Sequence, residues 1–460
     1  MNLTKIITQI SVACLAYATI GYSQNAELTQ DQILLQNIGT PWGFTFLSSN
    51  EVIFTEKGGK LFRYNISTNT RTEITGLPSI NQNGQGGLLD VAIHPNFSQN
   101  SFVYLTYAVS ANNGQTTALG RGKLVNNQLQ NFTEIFRAMP IVNSGQHFGS
   151  RIAFDRNNRL YMSVGDRGTP DNAQNLNNHA GKIMRLNDDG TVPTDNPFVG
   201  RQNHRPEIFS YGHRNIQGMA MNPATGEIYA HEHGPRGGDE LNLIKKGANY
   251  GWPTITFGIN YDGSTITPDT AKAGMEQPLT YWVPSIAPSG LAFIDKGLPS
   301  NEAEVLIGAL AGTHVHWLRL KDNKKQWATR SLQGYARFRD IRQAPDGKVY
   351  ALTESPNRFV RLKSNVTITS IVEETAFQTE EYVHPNPGSE GGTLTFYLPY
   401  SQSISIKIYS LDGNAVYEKN LMYSQGSHQL PFEVASAPKG MYHIEIIKEN
   451  SRTLHKWIKM

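Results

Sequence analysis

An all-β fold, a six-bladed β-propeller followed by a small β-sandwich, is what the amino-acid sequence predicts, and three observations carry that reading. Among 460 residues there are 42 Gly, and Tyr (20) and Phe (19) far outnumber Trp (6), a mixture that favours short strands and tight turns over a helical bundle. One strand–turn–strand unit is legible six times along the chain. After about residue 366 that unit stops and shorter alternating strands follow, the mark of a second, smaller domain.

In chain order, Lys5 precedes an apolar run to Ile20, and Gly21-Tyr22-Ser23 offers small residues at both positions a signal peptidase reads, so residues 1–23 are expected to be an export signal. The one cysteine, Cys14, lies inside that run, so removal of the signal excludes disulfides and cysteine metal sites from the mature chain. Ser11, three residues before Cys14, and the short apolar stretch disfavour a lipoprotein anchor. No other stretch approaches the ~20 apolar residues of a membrane helix. Basic residues (41) nearly balance acidic ones (38), for a net charge of +3, and are scattered, which argues against a nucleic-acid surface.

The recurring unit starts at Phe44, Val91, Ile152, Met219, Leu291 and Ile341, with spacings of 47, 61, 67, 72 and 50 residues. Such spacings leave room for four strands each plus variable loops, the signature of propeller blades. Residues 27–366 are therefore expected to form six blades. Residues 367–381, acidic and Thr/Ser-rich, read as a linker, and 382–460, with a Leu411-Asp412-Gly413 turn, as a β-sandwich.

Candidate chemistry concentrates at strand ends. His147 lies among glycines in SGQHFGSRIAFD, and Asp166 ends the strand pair that His147 introduces. A carboxylate holding one imidazole nitrogen leaves the other as a proton acceptor near neutral pH, as a general base requires. Arg214-Asn215 pairs a planar cationic fork with an amide, and Arg337 and Arg339 occupy alternate positions of one strand; both arrangements suit an anion. Gly234-Pro235 makes a turn able to present carbonyls, and Asp239, Glu240 and Tyr250 follow with further oxygens, a mixture suited to calcium. The tandem His231-Glu232-His233 lacks a third ligand at zinc spacing.

Taken together, NGQGGLLDVAIHPNF, GQHFGSRIAFD, SVGDRG, HAGKIMRLNDDGTVPTDNPF, SYGHRNIQGMA, EHGPRGGDELNLIKKGANYGWP, IAPSGLAF and YARFRDIRQAPDGKVYALT resemble the soluble PQQ-dependent glucose/sorbosone dehydrogenases, in particular their periplasmic aldose sugar dehydrogenase branch. The resemblance runs from about Pro41 to Leu362. It implies oxidation of an aldose at C1 to a lactone, with His147 removing the hydroxyl proton, Asp166 orienting it, and hydride passing to C5 of pyrroloquinoline quinone (PQQ). Arg214 would polarise the quinone oxygen, and Gln85, Asn215, Arg337 and Arg339 would hold PQQ carboxylates and carbonyls. The carbonyls of Gly234 and Pro235 would bind the calcium that coordinates PQQ, and Glu240 and Tyr250 match a second, structural calcium site. An external electron acceptor is also implied.

Two residues depart from the glucose-oxidising members of that family: Gln146 stands where Asp precedes the base, and Ala311 where a Lys contacts the cofactor. The C-terminal region resembles the sorting domain of the type IX secretion pathway of Bacteroidetes, through His384-Pro385-Asn386-Pro387, Asp412-Gly413, Lys439-Gly440-Met441-Tyr442 and Lys456. It implies passage through the periplasm to the cell surface or medium. The alternatives are a non-enzymatic exported propeller that binds carbohydrate or a surface partner, and a calcium-dependent lactone hydrolase, under which Arg337 and Arg339 would have no evident job.

Overall fold

Alternating apolar and polar residues make each recurring unit an antiparallel hairpin: Phe44 pairs with Phe54, Val91 with Leu105, Ile152 with Met162, Met219 with Ala230, Leu291 with Ile307 and Ile341 with Ala351. In this computed structural model the described residues are 27–364 except 112, 113 and 296, and 382–460 except 385, 387, 399–401, 411, 424, 425 and 449–451. The expected export signal, with Cys14, and the linker lie outside the described residues. No helix among them is long and apolar enough to cross a membrane.

Each hairpin gains two more strands, giving six four-stranded sheets. Blade 1 comprises Pro41–Ser48, Glu51–Glu56, Lys60–Asn65 and Thr70–Ile74; blade 2 Leu88–Ile93, Phe102–Ala111, Gly114–Val125 and Gln128–Arg137; and blade 3 Ile152–Phe154, Leu160–Val164, Lys182–Leu186 and Ile208–Tyr211. Blade 4 comprises Ile216–Met221, Ile228–Glu232, Asp239–Leu243 and Thr280–Trp282, and blade 5 Pro288–Ile294, Glu302–Ala309, Val315–Lys321 and Lys324–Ser331. Blade 6 takes three strands from Arg337–Gln343, Val349–Glu354 and Arg358–Ser364, and its outer strand, Leu28–Gln36, from before the first unit. The first strand of every blade touches that of the next, and the sixth touches the first, as expected of a six-bladed propeller.

The core sits between blades. Ile53 and Leu61 of blade 1 pack with Val91 and Leu105 of blade 2, Ile183 and Phe209 of blade 3 with Ile216 and Met219 of blade 4, and Phe44 and Phe54 of blade 1 with Leu352 and Phe359 of blade 6. Both faces of each sheet are thus buried, and closing the ring leaves little exposed edge.

At the axis the packing is ionic. The guanidinium of Arg151, 2% exposed, reaches Asp90 (3.3 Å) and Asp340 (3.4 Å), lies 4.1 Å over the Trp42 ring and donates to the carbonyls of Gln217 (2.6 Å) and Arg339 (3.0 Å). Arg342 supports both carboxylates, at 3.2 Å from Asp90 and 3.1 Å from Asp340. Burial pushes Asp90 toward its neutral form, and the two arginines pull it back.

The second compact unit has a three-stranded sheet (Tyr382–His384, Gly391–Leu398, Gly426–Glu433) and a four-stranded one (Ala415–Tyr423, Gln402–Ser410, Gly440–Ile447, Arg452–Lys459). Leu394, Phe396 and Leu430 of the first share one core with Ile406, Ile444 and Trp457 of the second, which is the expected sandwich.

Candidate active site

Antiparallel pairing places the start of each blade's first strand beside the end of its second, so the loops at one end of the ring converge on the axis. Gln85 precedes the first strand of blade 2, His147 that of blade 3, and Arg214-Asn215 that of blade 4, while Arg337 opens that of blade 6. Asp166, Gly234-Pro235 and Glu354 follow or end the second strands of blades 3, 4 and 6. Residues far apart in sequence therefore share one rim.

His147 Nδ1 lies 2.6 Å from Asp166 Oδ1. An ionised carboxylate only accepts, so Nδ1 carries the proton and Nε2 is the basic nitrogen. Asp166 is 1% exposed. Burial pushes its carboxyl up, but the His147 hydrogen bond and charge, the Gly168 N–H and Arg214 outweigh this and hold it below the usual range. Its Oδ1 accepts from the Gly168 N–H at 2.8 Å and its Oδ2 from Trp252 Nε1 at 2.9 Å. The backbone fits closely here: a Cβ on Gly165 would stand 2.4 Å from the His147 carbonyl oxygen, so only glycine is admitted.

The cations form a connected set. Arg214, 7% exposed, donates to the carbonyls of His233 (3.2 Å) and Gly234 (2.9 Å). Asn215 Oδ1 accepts from the Gly149 N–H at 3.2 Å and from Gln217 Nε2 at 3.3 Å, and Gln217 Oε1 accepts from Arg339 at 3.3 Å. Glu354 gathers Arg339 at 2.6 Å and Arg337 at 3.5 Å. Gln85 Oε1 accepts the His147 N–H at 2.8 Å, leaving its amide NH2 for a ligand. Lys57 adds a fourth cation: burial first, then the charge of Arg339, lower its pKa.

Of the expected calcium ligands, Gly234 turns its carbonyl toward the Arg214 guanidinium and hence to the rim. Asp239 is committed elsewhere. Its carboxylate accepts from the Gly234, Ile286 and Ala287 N–H groups and the Ser285 hydroxyl at 2.7–2.9 Å. Glu240 pairs across strands with Glu232, and burial followed by that neighbour's charge pushes its carboxyl up to about 8, an environment a cation would relieve. The Tyr250 hydroxyl donates to the Leu243 carbonyl (2.6 Å) and accepts the Lys245 N–H (2.8 Å), so its side-chain oxygen is already engaged. His231 and His233 approach the main-chain carbonyls of Gly290 (3.1 Å) and Pro288 (2.9 Å). Among the described residues no cluster of three or more His, Cys, Asp or Glu could hold a metal.

Reading the sequence missed Trp252, Glu354, Gln217 and Lys57 as members of this set. Trp252 stood inside a quoted motif, but nothing local links an indole to a carboxylate 86 residues away. Removing its N–H in Trp252→Phe takes one donor from Asp166, a charge-assisted bond of about 1.5–3 kcal/mol. We expect turnover at saturating substrate to fall roughly ten- to hundredfold, an effect of that size at 1.36 kcal/mol per decade, and the melting temperature to fall by a few degrees, since the folded protein loses the same bond; steady-state kinetics beside a thermal melt checks it.

Residues 38–361 match the family model described as Glucose / Sorbosone dehydrogenase, and residues 382–460 match the Secretion system C-terminal sorting domain. The chain is 39% identical over 360 residues to the aldose sugar dehydrogenase YliI of Escherichia coli, covering 76% of this chain and 95% of that protein. Its fold is similar to the crystal structure of the soluble aldose sugar dehydrogenase from E. coli in the apo-form (TM-score 0.68, 35% identity, 74% of this chain and 99% of that one). It is also similar to the PQQ-bound form of aldose sugar dehydrogenase from Streptomyces coelicolor (TM-score 0.62, 25% identity, 75% and 99%).

Proposed function

This chain belongs to the Glucose / Sorbosone dehydrogenase family, and from that premise we propose that it oxidises aldoses at C1 to lactones with PQQ and calcium, His147 acting as general base. One observation carries the reading: the 2.6 Å His147–Asp166 pair stands on the same rim as Lys57, Arg214, Arg337 and Arg339, of which the last two pair with Glu354. A base set beside an excess of positive charge suits a substrate hydroxyl next to a polyanionic cofactor.

His147 Nε2 would take the proton of the anomeric hydroxyl, and Asp166 would stabilise the resulting imidazolium and keep the ring oriented. Arg337, Arg339 and the amides of Gln85 and Asn215 would hold the carboxylates and carbonyls of PQQ, and Arg214 would meet negative charge developing next to it. PQQ, when bound, supplies the two-electron acceptor that protein side chains lack. The carbonyls of Gly234 and Pro235 would hold its calcium, and Glu240 a second ion, with Tyr250 limited to its main-chain oxygen. Ala311 supplies no cation, while Lys57 brings one near Arg339 and Glu354. The sorting domain supports export by the type IX machinery, with an external acceptor completing the cycle.

The test is a visible spectrum of the purified chain with PQQ and calcium before and after aldose, together with dye reduction across an aldose panel. We expect a PQQ spectrum that changes on adding sugar. PQQ binding with no turnover of any aldose would retire the dehydrogenase reading, and absence of PQQ binding would favour the non-enzymatic propeller.

A further inference from the structure

Arg167 is a buried guanidinium with no carboxylate within ion-pair distance among the described residues, although the charge of neighbouring Asp166 acts on it. It is 1% exposed, and burial lowers its pKa to about 10, leaving it charged at neutral pH. Its Nη1 donates to the Gln146 carbonyl and its Nη2 to the Ser144 carbonyl at 2.7 Å, while its Nε has no acceptor. The plane of the group lies 3.6 Å over the Phe148 ring. All three contacts thus fall on residues that bracket His147. Burying a guanidinium without a direct ion pair is costly, and the Asp166 charge and the two carbonyls offset part of that cost, so the cation has a task that an apolar filler would not perform.

The loop it grips is conformationally demanding. His147 has φ +51° and Ser150 φ +82°, both in the left-handed region that side chains other than glycine rarely adopt. Such a backbone persists only where its surroundings over-determine it. The side chains of Gln85 and Asn215 accept the His147 and Gly149 N–H groups, and Thr117 donates to the Phe148 carbonyl. Of the side chains holding this loop, Arg167 is the one covalently next to Asp166.

We infer that Arg167 is a positioning residue for the general base: the Asp166-Arg167 dipeptide holds the His147 imidazole with one side chain and the backbone of its loop with the other, fixing both to the end of one strand. This rests on the dehydrogenase reading for its kinetic consequence but not for its structural one. Arg167→Met keeps an apolar stem against Phe148 and loses both donors.

In the PQQ- and calcium-loaded enzyme we expect Arg167→Met to lower kcat on the order of 10²-fold, the scale of a misplaced catalytic group, with KM and PQQ affinity changed less than about threefold. Arg167→Lys, with one donor restored, is expected to recover part of the rate. In the cofactor-free protein, hydrogen exchange in Arg167→Met is expected to speed up at the amides of His147 and Gly149, with blade-core amides unchanged. Unchanged exchange at those two amides overturns the inference, as does a wild-type kcat in a folded Arg167→Met. Acceleration spread evenly over the propeller overturns it as well, since that marks a general stabiliser. If Arg167→Met does not fold, Arg167→Lys is read by the same two measurements. If the wild-type protein oxidises no aldose, the dehydrogenase reading fails and the exchange experiment still decides the clamp.

Discussion

Replacing His147 with Gln is expected to lower kcat by about 10²–10⁴-fold, the range a general base contributes, while leaving PQQ binding and the melting temperature near wild type. The side chain is 12% exposed and its one polar contact is Asp166, so its loss leaves a single carboxylate with one donor fewer. Asp166→Asn is expected to be as damaging for a different reason. Three donors converge on this carboxylate: His147 Nδ1 and the Gly168 N–H on Oδ1, and Trp252 Nε1 on Oδ2. An amide has one oxygen, so in either orientation its NH2 faces a donor: turned toward His147 it reverses the imidazole tautomer, a change that has cost about 10⁴-fold in a comparable hydrolytic triad, and turned toward Trp252 it leaves the imidazolium without a carboxylate charge. Steady-state kinetics of the loaded variants decides the matter. A His147→Gln protein within threefold of wild-type kcat would remove the base from this site.

Replacing Arg151 with Met is expected to destabilise the propeller by about 3–5 kcal/mol, the cost of stripping one partner from a buried ion pair. Asp90 and Asp340, 0% and 2% exposed, would keep Arg342 as their cationic partner, besides the Val91 and Ile152 N–H groups on Asp90 and the Phe44 N–H on Asp340. The loss reaches across the ring. Arg151, at the edge of blade 3, contacts Trp42 of blade 1, Asp90 of blade 2, the Gln217 carbonyl of blade 4 and the Arg339 carbonyl of blade 6. Ser289 of blade 5 donates to that same Arg339 carbonyl at 2.6 Å. Since Arg339 also belongs to the rim, the variant should weaken PQQ binding even where it is folded. Thermal melts of Arg151→Met, Asp90→Asn and the double variant separate pairing from packing, because coupled residues give a double-variant effect smaller than the sum. A melting temperature within about 2 °C of wild type would show that the axial ion pairs contribute little.

The hairpins were legible because their information is local. Asp-Gly and Asn turns lie between runs of alternating apolar residues, and pairs such as Ile152 with Met162 form over ten residues. His147 and Asp166 were legible for a related reason, since they bracket one hairpin. Arg337 and Arg339 could be placed on one face from strand periodicity, but not assigned their shared partner, Glu354, which lies on the neighbouring strand. Asp239 was read as a cation ligand because acidic type and position are visible in sequence, whereas the four donors that occupy it are not.

By itself the sequence determined an all-β chain of six repeated hairpins and a separate sandwich, together with the residues proposed here for a base, an anion-binding rim and a calcium-binding turn. Strand period and turn chemistry act within about twenty residues. Ring closure decided the rest: the strand Leu28–Gln36 completing blade 6, Arg151 joining blades across the axis and Trp252 on Asp166. These contacts depend on the relative placement of elements up to hundreds of residues apart, and only the packing of blade against blade sets it.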